Sequence, residues 1–187
     1  MIRWTLFLLG GVLLGGIVHL GTVFILPLTA TQDAYSRLTA TVPLDKVVAL
    51  PLPTPEKAAM PFMDPAFAST VCRYDLAQGP IKLTVPVNSA YTSVSFYTNR
   101  DIAYYAINDR AAGGRAIELD LMTAEQHSQL PEDEEITAAD RLIVESPSPT
   151  GLIVIRALAL SPEMMPMAEK AIVTAQCTKV AAPNPSD

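Results

Sequence analysis

The side chains best suited to covalent chemistry are two cysteines, Cys72 and Cys177, and one histidine outside the apolar N-terminal segment, His127. A cysteine nucleophile with a histidine base can carry out acyl transfer, provided that a neighbouring group lowers the pKa of the thiol. Cys72 lies within a strand-like pattern, and the one charged residue adjacent to it is Arg73. An enzyme of this type is therefore the less favoured interpretation, and we expect His127 to lie on the surface.

The spacing of the two cysteines favours a disulfide instead. They lie 105 positions apart, and neither belongs to a Cys-x-x-Cys motif, so zinc binding and thioredoxin-type exchange have no support. In an oxidising compartment an even number of distant cysteines is typical of a bridge. Closing a loop of this size contributes about 4–5 kcal/mol on the chain-entropy model. We expect Cys72–Cys177 to be bridged and to tie a C-terminal helix to the β domain, rather than to remain two separate buried thiols.

A run of acidic residues at positions 132–135 is the sequence feature that most suggests a bound cation. The run lacks the alternating spacing and the turn glycine of an EF-hand loop, so a solvated charged loop is the better interpretation. Glycine-rich phosphate loops, nucleophile elbows and His-x-x-x-His spacings do not occur in the sequence. The sequence thus predicts no cofactor and no metal site.

Residues 4–28 form an apolar run without a formal charge. As a helix, a run of this length crosses the ~30 Å hydrocarbon core of a bilayer. Arg3 and the amino terminus are the positive charges before it, which favours a cytoplasmic N-terminus and an exported body. A cleaved secretory signal is the alternative, although the apolar part of such signals is shorter, roughly 7–15 residues.

Gly11 and Gly15 form a G-x-x-x-G motif that could bring two such helices together as a homodimer, but glycine is common in membrane helices anyway.

The charge balance excludes one class of partner. Without Arg3, the exported part carries 12 basic and 19 acidic residues, a formal charge of −7. Nucleic acids and anionic lipid surfaces both need clustered positive charge, so neither is an expected partner of this part. The roughly 155 residues after the apolar run suffice for a single domain with a real core.

Between the apolar run and the body, residues 29–65 read as a short juxtamembrane helix followed by a proline-rich strap. Interior prolines rule out a regular helix in the strap, although residues 46–50 are compatible with a short strand. The strap is too apolar for a free linker, so we expect it to lie on the domain. The apolar residues that carry this expectation are Leu50, Leu52, Met60, Phe62 and Met63.

Residues 66–180 show the alternation of half-buried strands, with turn residues between successive runs. Seven or more short strands predict a mainly β domain, an antiparallel sandwich or jelly roll. A capping-box pattern at residues 123–126 predicts a short helix to position 130, and a proline-started helix is predicted from 162 towards 179. The proline-containing tail at 181–187 reads as disordered.

Three segments of this body resemble the domain of unknown function 1254 family of bacterial proteins. They are 69–86 (STVCRYDLAQGPIKLTVP), 91–96 (YTSVSF) and 110–114 (RAAGG). The likeness is greatest over residues 66–121 and looks most like a short, membrane-anchored alphaproteobacterial form. The resemblance implies a β fold and an envelope location but no reaction. Longer members carry a second β domain, which implies a separately encoded partner for this chain.

Aromatic residues concentrate on two neighbouring predicted strands, at 91–98 and 102–107. Tyr104 and Tyr105 must alternate between faces, so we expect one in the core and one outward. The predicted contact surface comprises Tyr97, Arg100, Tyr105 and Arg110. Ordinary cross-strand aromatic pairing is the alternative explanation.

These features together predict a single-pass bacterial inner-membrane protein with a cytoplasmic N-terminus and a periplasmic β domain. The domain would act as a non-catalytic interaction or accessory module. The alternative is an envelope enzyme or a small-ligand-binding protein that uses a cleft of the β domain.

Overall fold

The computed structural model describes residues 1–29, 33–87, 90–113, 116–130 and 142–180, and divides into two compact units, residues 1–33 and 34–187. The acidic run at 132–135 and the tail at 181–187 lie outside the described residues. The first unit is one helix, α1 (Ile2–Thr29). Its stretch Ile2–Leu26 has a mean hydropathy of 2.1, so its length and composition would allow it to cross a membrane; a signal sequence would meet the same criteria.

The second unit is mainly β. Among the described residues its helices are α2 (Ala34–Thr39), α3 (Ala124–Ser128) and α4 (Met165–Val173). Its strands are β1 (Val47–Ala49), β2 (Phe67–Asp75), β3 (Ile81–Pro86), β4 (Thr92–Thr98), β5 (Ala103–Asn108), β6 (Ala116–Thr123), β7 (Leu142–Ser146), β8 (Thr150–Leu158) and β9 (Gln176–Lys179). The predicted strands and the capping-box helix are therefore present.

The strands form two sheets, in the orders β1-β2-β8-β4-β5 and β7-β6-β3-β9. The first sheet is antiparallel throughout, whereas the second is mixed because β6 and β7 run parallel. Apolar side chains from both sheets meet in one inner core, among them Phe96 and Ile153 from the first sheet and Leu83 and Leu119 from the second. Because side chains alternate along a strand, the first sheet also has an outer face, which points away from this core.

A second apolar cluster covers part of that outer face. We call it the outer cluster; its buried members are Leu38, Val42, Leu50, Val71, Leu152 and Val154. Side chains of helix α2 and of the proline-rich strap pack over the cluster members on β2 and β8. Met60 and Met63 of the strap pack against the cluster. The strap therefore lies on the domain as predicted, although Leu52 and Phe62 are exposed and take no part in the contact.

The C-terminal region differs from its prediction. The expected helix over 162–179 is a 3-10 turn at Pro162–Met164, then α4, which ends at Val173. After it, β9 pairs with β3, and Leu83 lies opposite Cys177. Cys177 is thus on a strand of the second sheet, because a long-range strand pairing overrides the weak helical pattern of its neighbours.

Candidate functional site

The two cysteines are joined in a disulfide. Cys72 lies in the middle of β2 and Cys177 in β9, with their Cα atoms 6.5 Å apart and both residues buried. The bridge therefore ties the first sheet to the second, rather than tying the C-terminal helix to the sheet as the sequence predicted. Since the chain has no other cysteine, a thiol nucleophile is not available in this form.

His127 pairs with Glu145. Its Nδ1 lies 2.6 Å from Glu145 Oε1, and the two side chains are 36% and 51% exposed. The capping box of Thr123 and Gln126 stabilises the start of α3. This helix places His127 next to Glu145 of β7. Among the described residues nothing hydrogen-bonds to the second ring nitrogen, and no cluster of three metal-ligating side chains is found. The Glu145 carboxylate thus orients the His127 imidazole at the surface.

A buried hydroxyl network crosses the inner core. The Tyr74 hydroxyl donates to the Tyr97 carbonyl at 3.1 Å and lies 3.0 Å from the hydroxyls of both Tyr104 and Ser146. Since Tyr74 gives its proton to the carbonyl, Tyr104 acts as the donor towards Tyr74. Burial, reinforced by the neighbouring Tyr74, raises the pKa of Tyr104 far above its ordinary value, so its phenol remains protonated.

Gly151 makes room for this network. It pairs with Tyr74 across the first sheet, and a Cβ added there would fall well inside contact distance of the Tyr97 carbonyl oxygen and the Tyr74 hydroxyl. Tyr74 and Ser146 are buried and Tyr104 is half-buried, so the network links β2, β4 and β5 of the first sheet to β7 of the second.

The four residues predicted as a contact surface do not come together. Tyr105 is half-buried against the inner core, with its ring centroid 5.8 Å from that of Phe96. Tyr97 packs against the outer cluster, on the opposite face of the same sheet. Arg100 and Arg110 are exposed but flank opposite ends of β5, whose six residues span about 20 Å.

A β-bulge explains why the alternation of the tyrosines fails. The register shifts between Phe96 and Tyr97, so that Phe96 pairs with Tyr105 and Tyr97 pairs with Ala103. Tyr104 is the extra residue, and both tyrosine rings pack near Phe96. The expectation of one inward and one outward tyrosine is therefore wrong.

The open part of the outer face carries a row of polar side chains. Arg156 lies at the middle of the row, with Ser69 opposite it on β2 and Ser93 opposite it on β4. Ser93 in turn pairs with Asn108 on β5. Four strands thus place an arginine, two serines and an asparagine side by side, next to the outer cluster that α2 and the strap cover.

This row borders a groove of about 390 Å³. Its lining residues are Phe67, Tyr91, Ser93, Ser95, Ala106, Ile107, Asn108, Ala111 and Arg156. Arg156 is exposed and forms no hydrogen bond or ion pair with any other described residue. Sequence reasoning missed this site, although one signal was present: Arg156 is the single charge in the otherwise apolar run at 151–160.

The glycines of the proposed helix-dimer face, Gly11 and Gly15, both lie on α1, and a Cβ added at either would meet open space. They are one helical turn apart and share a face. Pairing of two helices through this face remains a prediction.

Known proteins share sequence and fold with this chain. Residues 45–179 match the model of a family described as "Protein of unknown function (DUF1254)". No curated protein matches the chain. A crystal structure of a Vibrio parahaemolyticus protein is similar, with a TM-score of 0.58 and 14% identity; the match covers 82% of this chain and 39% of that one. An uncharacterized Burkholderia cenocepacia protein has a TM-score of 0.49 and 14% identity, over 82% and 43% of the two chains. At this identity the Vibrio structure shows a shared fold alone.

Proposed function

The chain belongs to the DUF1254 family of proteins of unknown function, and we propose that it is a single-pass inner-membrane protein whose β domain is a non-catalytic interaction module. The module faces the periplasm, and the N-terminus is cytoplasmic. The observation that carries the proposal is the outer face of the first sheet. One part of this face is covered by α2 and the strap. The other part is an open groove, in which Arg156 has no ion-pair partner among the described residues.

The groove supports binding rather than catalysis. Arg156 forms no ion pair with any other described residue, so pairing within the domain does not account for this arginine, whereas a partner with a complementary group would pair with it. The side chains around Arg156 are hydroxyls, an amide and aromatic rings, and no described residue of the lining is a histidine, carboxylate or lysine that could activate a serine hydroxyl. Because both cysteines are joined in the disulfide, neither can act as a nucleophile. This further disfavours an enzyme with a cysteine nucleophile.

A separately encoded protein partner is part of the proposal. The match covers 39% of the length of the Vibrio parahaemolyticus protein, which therefore extends well beyond the fold that the two share. In this proposal the second polypeptide binds at the open groove of the first sheet. The apolar helix α1 would hold the module at the membrane, and Gly11 with Gly15 would allow two anchors to associate.

Site-specific photocrosslinking in membranes tests the proposal. A photoreactive residue at Ala106, which is exposed and lines the groove, should give an adduct with a second polypeptide. The matched control is Glu118, an exposed residue on β6 of the second sheet, where we expect no adduct. Equal adducts at both positions, or none at Ala106, would refute an interaction through this face. The adduct mass separates a homodimer from a different partner.

A further inference from the structure

We propose that the groove at Arg156 binds a carboxylate carried on an apolar or aromatic body. This inference deepens the proposed function, because it names the chemical group that the groove recognises. The carboxylate can belong to a free organic acid or to the C-terminus of a protein chain, since both present the same group to the arginine.

The polar side of the groove brings together side chains that can donate hydrogen bonds to a carboxylate. The Arg156 guanidinium is a planar fork that can bind both carboxylate oxygens at once. Ser93, directly opposite Arg156, adds a hydroxyl, and Asn108 is the next residue in the row. Asn108 Oδ1 already accepts the Ala111 N–H at 3.0 Å, which leaves its amino group as a donor to the groove.

The charge of the lining favours a monoanion. Arg156 is the single charged residue among the described residues that line the groove. A phosphate, with close to two negative charges at neutral pH, is usually held by several cations or by a helix N-terminus. The nearest acidic side chain in sequence, Asp109, follows Asn108 and would oppose additional negative charge. One arginine with neutral donors suits a carboxylate better.

The apolar side of the groove determines what kind of body the carboxylate is attached to. Phe67, Tyr91 and Ile107 line it, and Tyr91 is 38% exposed. An aromatic ring laid against Tyr91 and Phe67 would bury apolar surface on both partners. The volume of about 390 Å³ lies at the small end of the range for ligand sites, roughly 300–1,000 Å³, so the ligand is a small acid or a terminal residue.

Ligand-observed NMR titration of the full chain in detergent tests this inference with two matched pairs of probes. The first pair is 3-phenylpropionate and its uncharged amide. The second is acetyl-Ala-Phe with a free C-terminus and the same peptide with an amidated C-terminus. Binding of the acid member and not the amide member of either pair is the expected result. The pair that binds more tightly identifies a small acid or a chain terminus as the source.

Three variants locate the binding. Arg156→Gln should weaken acid binding at least about tenfold, since a charge-assisted pair is lost. Arg156→Lys keeps the charge without the fork and should fall between Arg156→Gln and the wild type. Arg100→Gln removes a different exposed arginine and should leave binding unchanged. Equal binding of acids and amides, no loss in Arg156→Gln, or no binding of either acid would overturn the inference. Such a failure leaves the crosslink at Ala106 unaffected, because crosslinking needs contact and no particular chemical group.

Discussion

Removing the Cys72–Cys177 bridge should lower the free energy of unfolding of the β domain by about 3–5 kcal/mol. The two cysteines close a loop of 105 residues, for which the chain-entropy model gives roughly 4.7 kcal/mol. Both side chains are buried, so the perturbation of choice is Cys72→Ala with Cys177→Ala, which leaves no unpaired polar group in the core. The variant adds a small cavity, and wild-type protein kept reduced is the matched control, because it loses the cross-link alone.

Urea unfolding of the full chain in detergent measures this loss. The single tryptophan, Trp4, lies in α1, so the transition of the β domain must be followed by near-UV circular dichroism of its tyrosines. With a urea dependence of about 2 kcal/mol per M, the midpoint should fall by roughly 2 M. Amides of β9, an edge strand paired only with β3, should lose protection against hydrogen exchange first.

Two results would refute the reasoning. Coincident midpoints for oxidised protein, reduced protein and the double alanine variant would mean that the cross-link does not constrain the unfolded chain. Two reactive thiols per chain in unfolded, unreduced protein would mean that the bridge does not form. The end of the chain would then depend on the β3–β9 pairing, the Lys179–Asp45 ion pair and the packing of α4.

Three further outcomes are expected. Tyr74→Phe leaves the hydroxyls of Tyr104 and Ser146 without a shared partner and should cost about 1–3 kcal/mol, seen as a lower thermal midpoint, whereas a loss below about 0.5 kcal/mol would contradict the role of the network. His127→Ala should change a cellular phenotype only through protein abundance, measured by quantitative immunoblot; abolished function at unchanged abundance would contradict the non-catalytic proposal. A periplasm-only reporter fused after Asp187 should be active, and activity of a cytoplasm-only reporter at that position would reverse the topology.

Local patterns predicted the fold well where neighbouring residues determine the structure. The helix α3 follows from the reciprocal hydrogen bonds between Thr123 and Gln126, four residues of sequence in all. The strands followed from period-two alternation, which records that one face of each strand packs on the inner core. By contrast, β9 has no comparable signal within itself, since its four residues become a strand only through pairing with β3.

The candidate groove depends on register, which the sequence alone did not provide. Arg156, Ser93 and Asn108 lie on three strands, and they become neighbours only when β8, β4 and β5 align as they do. The expected alternation of Tyr104 and Tyr105 between the two faces was wrong for a related reason. A single extra residue in β5, Tyr104, shifts the register beyond the Phe96–Tyr105 pair, so that the rings of Tyr104 and Tyr105 both lie near Phe96.

The position of β8 in the first sheet has a consequence for biosynthesis. This strand joins β2 to β4, so the pairs β1-β2 and β4-β5 have no connection within the sheet until Thr150–Leu158 has been synthesised. The disulfide forms later still, because Cys177 is synthesised 105 residues after Cys72. While these residues are being made, Cys72 is a free thiol on an incomplete sheet, and the domain can close only after β9 has been synthesised. Nascent chains that stop before β8 should engage chaperones and form mixed disulfides, whereas chains that extend past β9 should not.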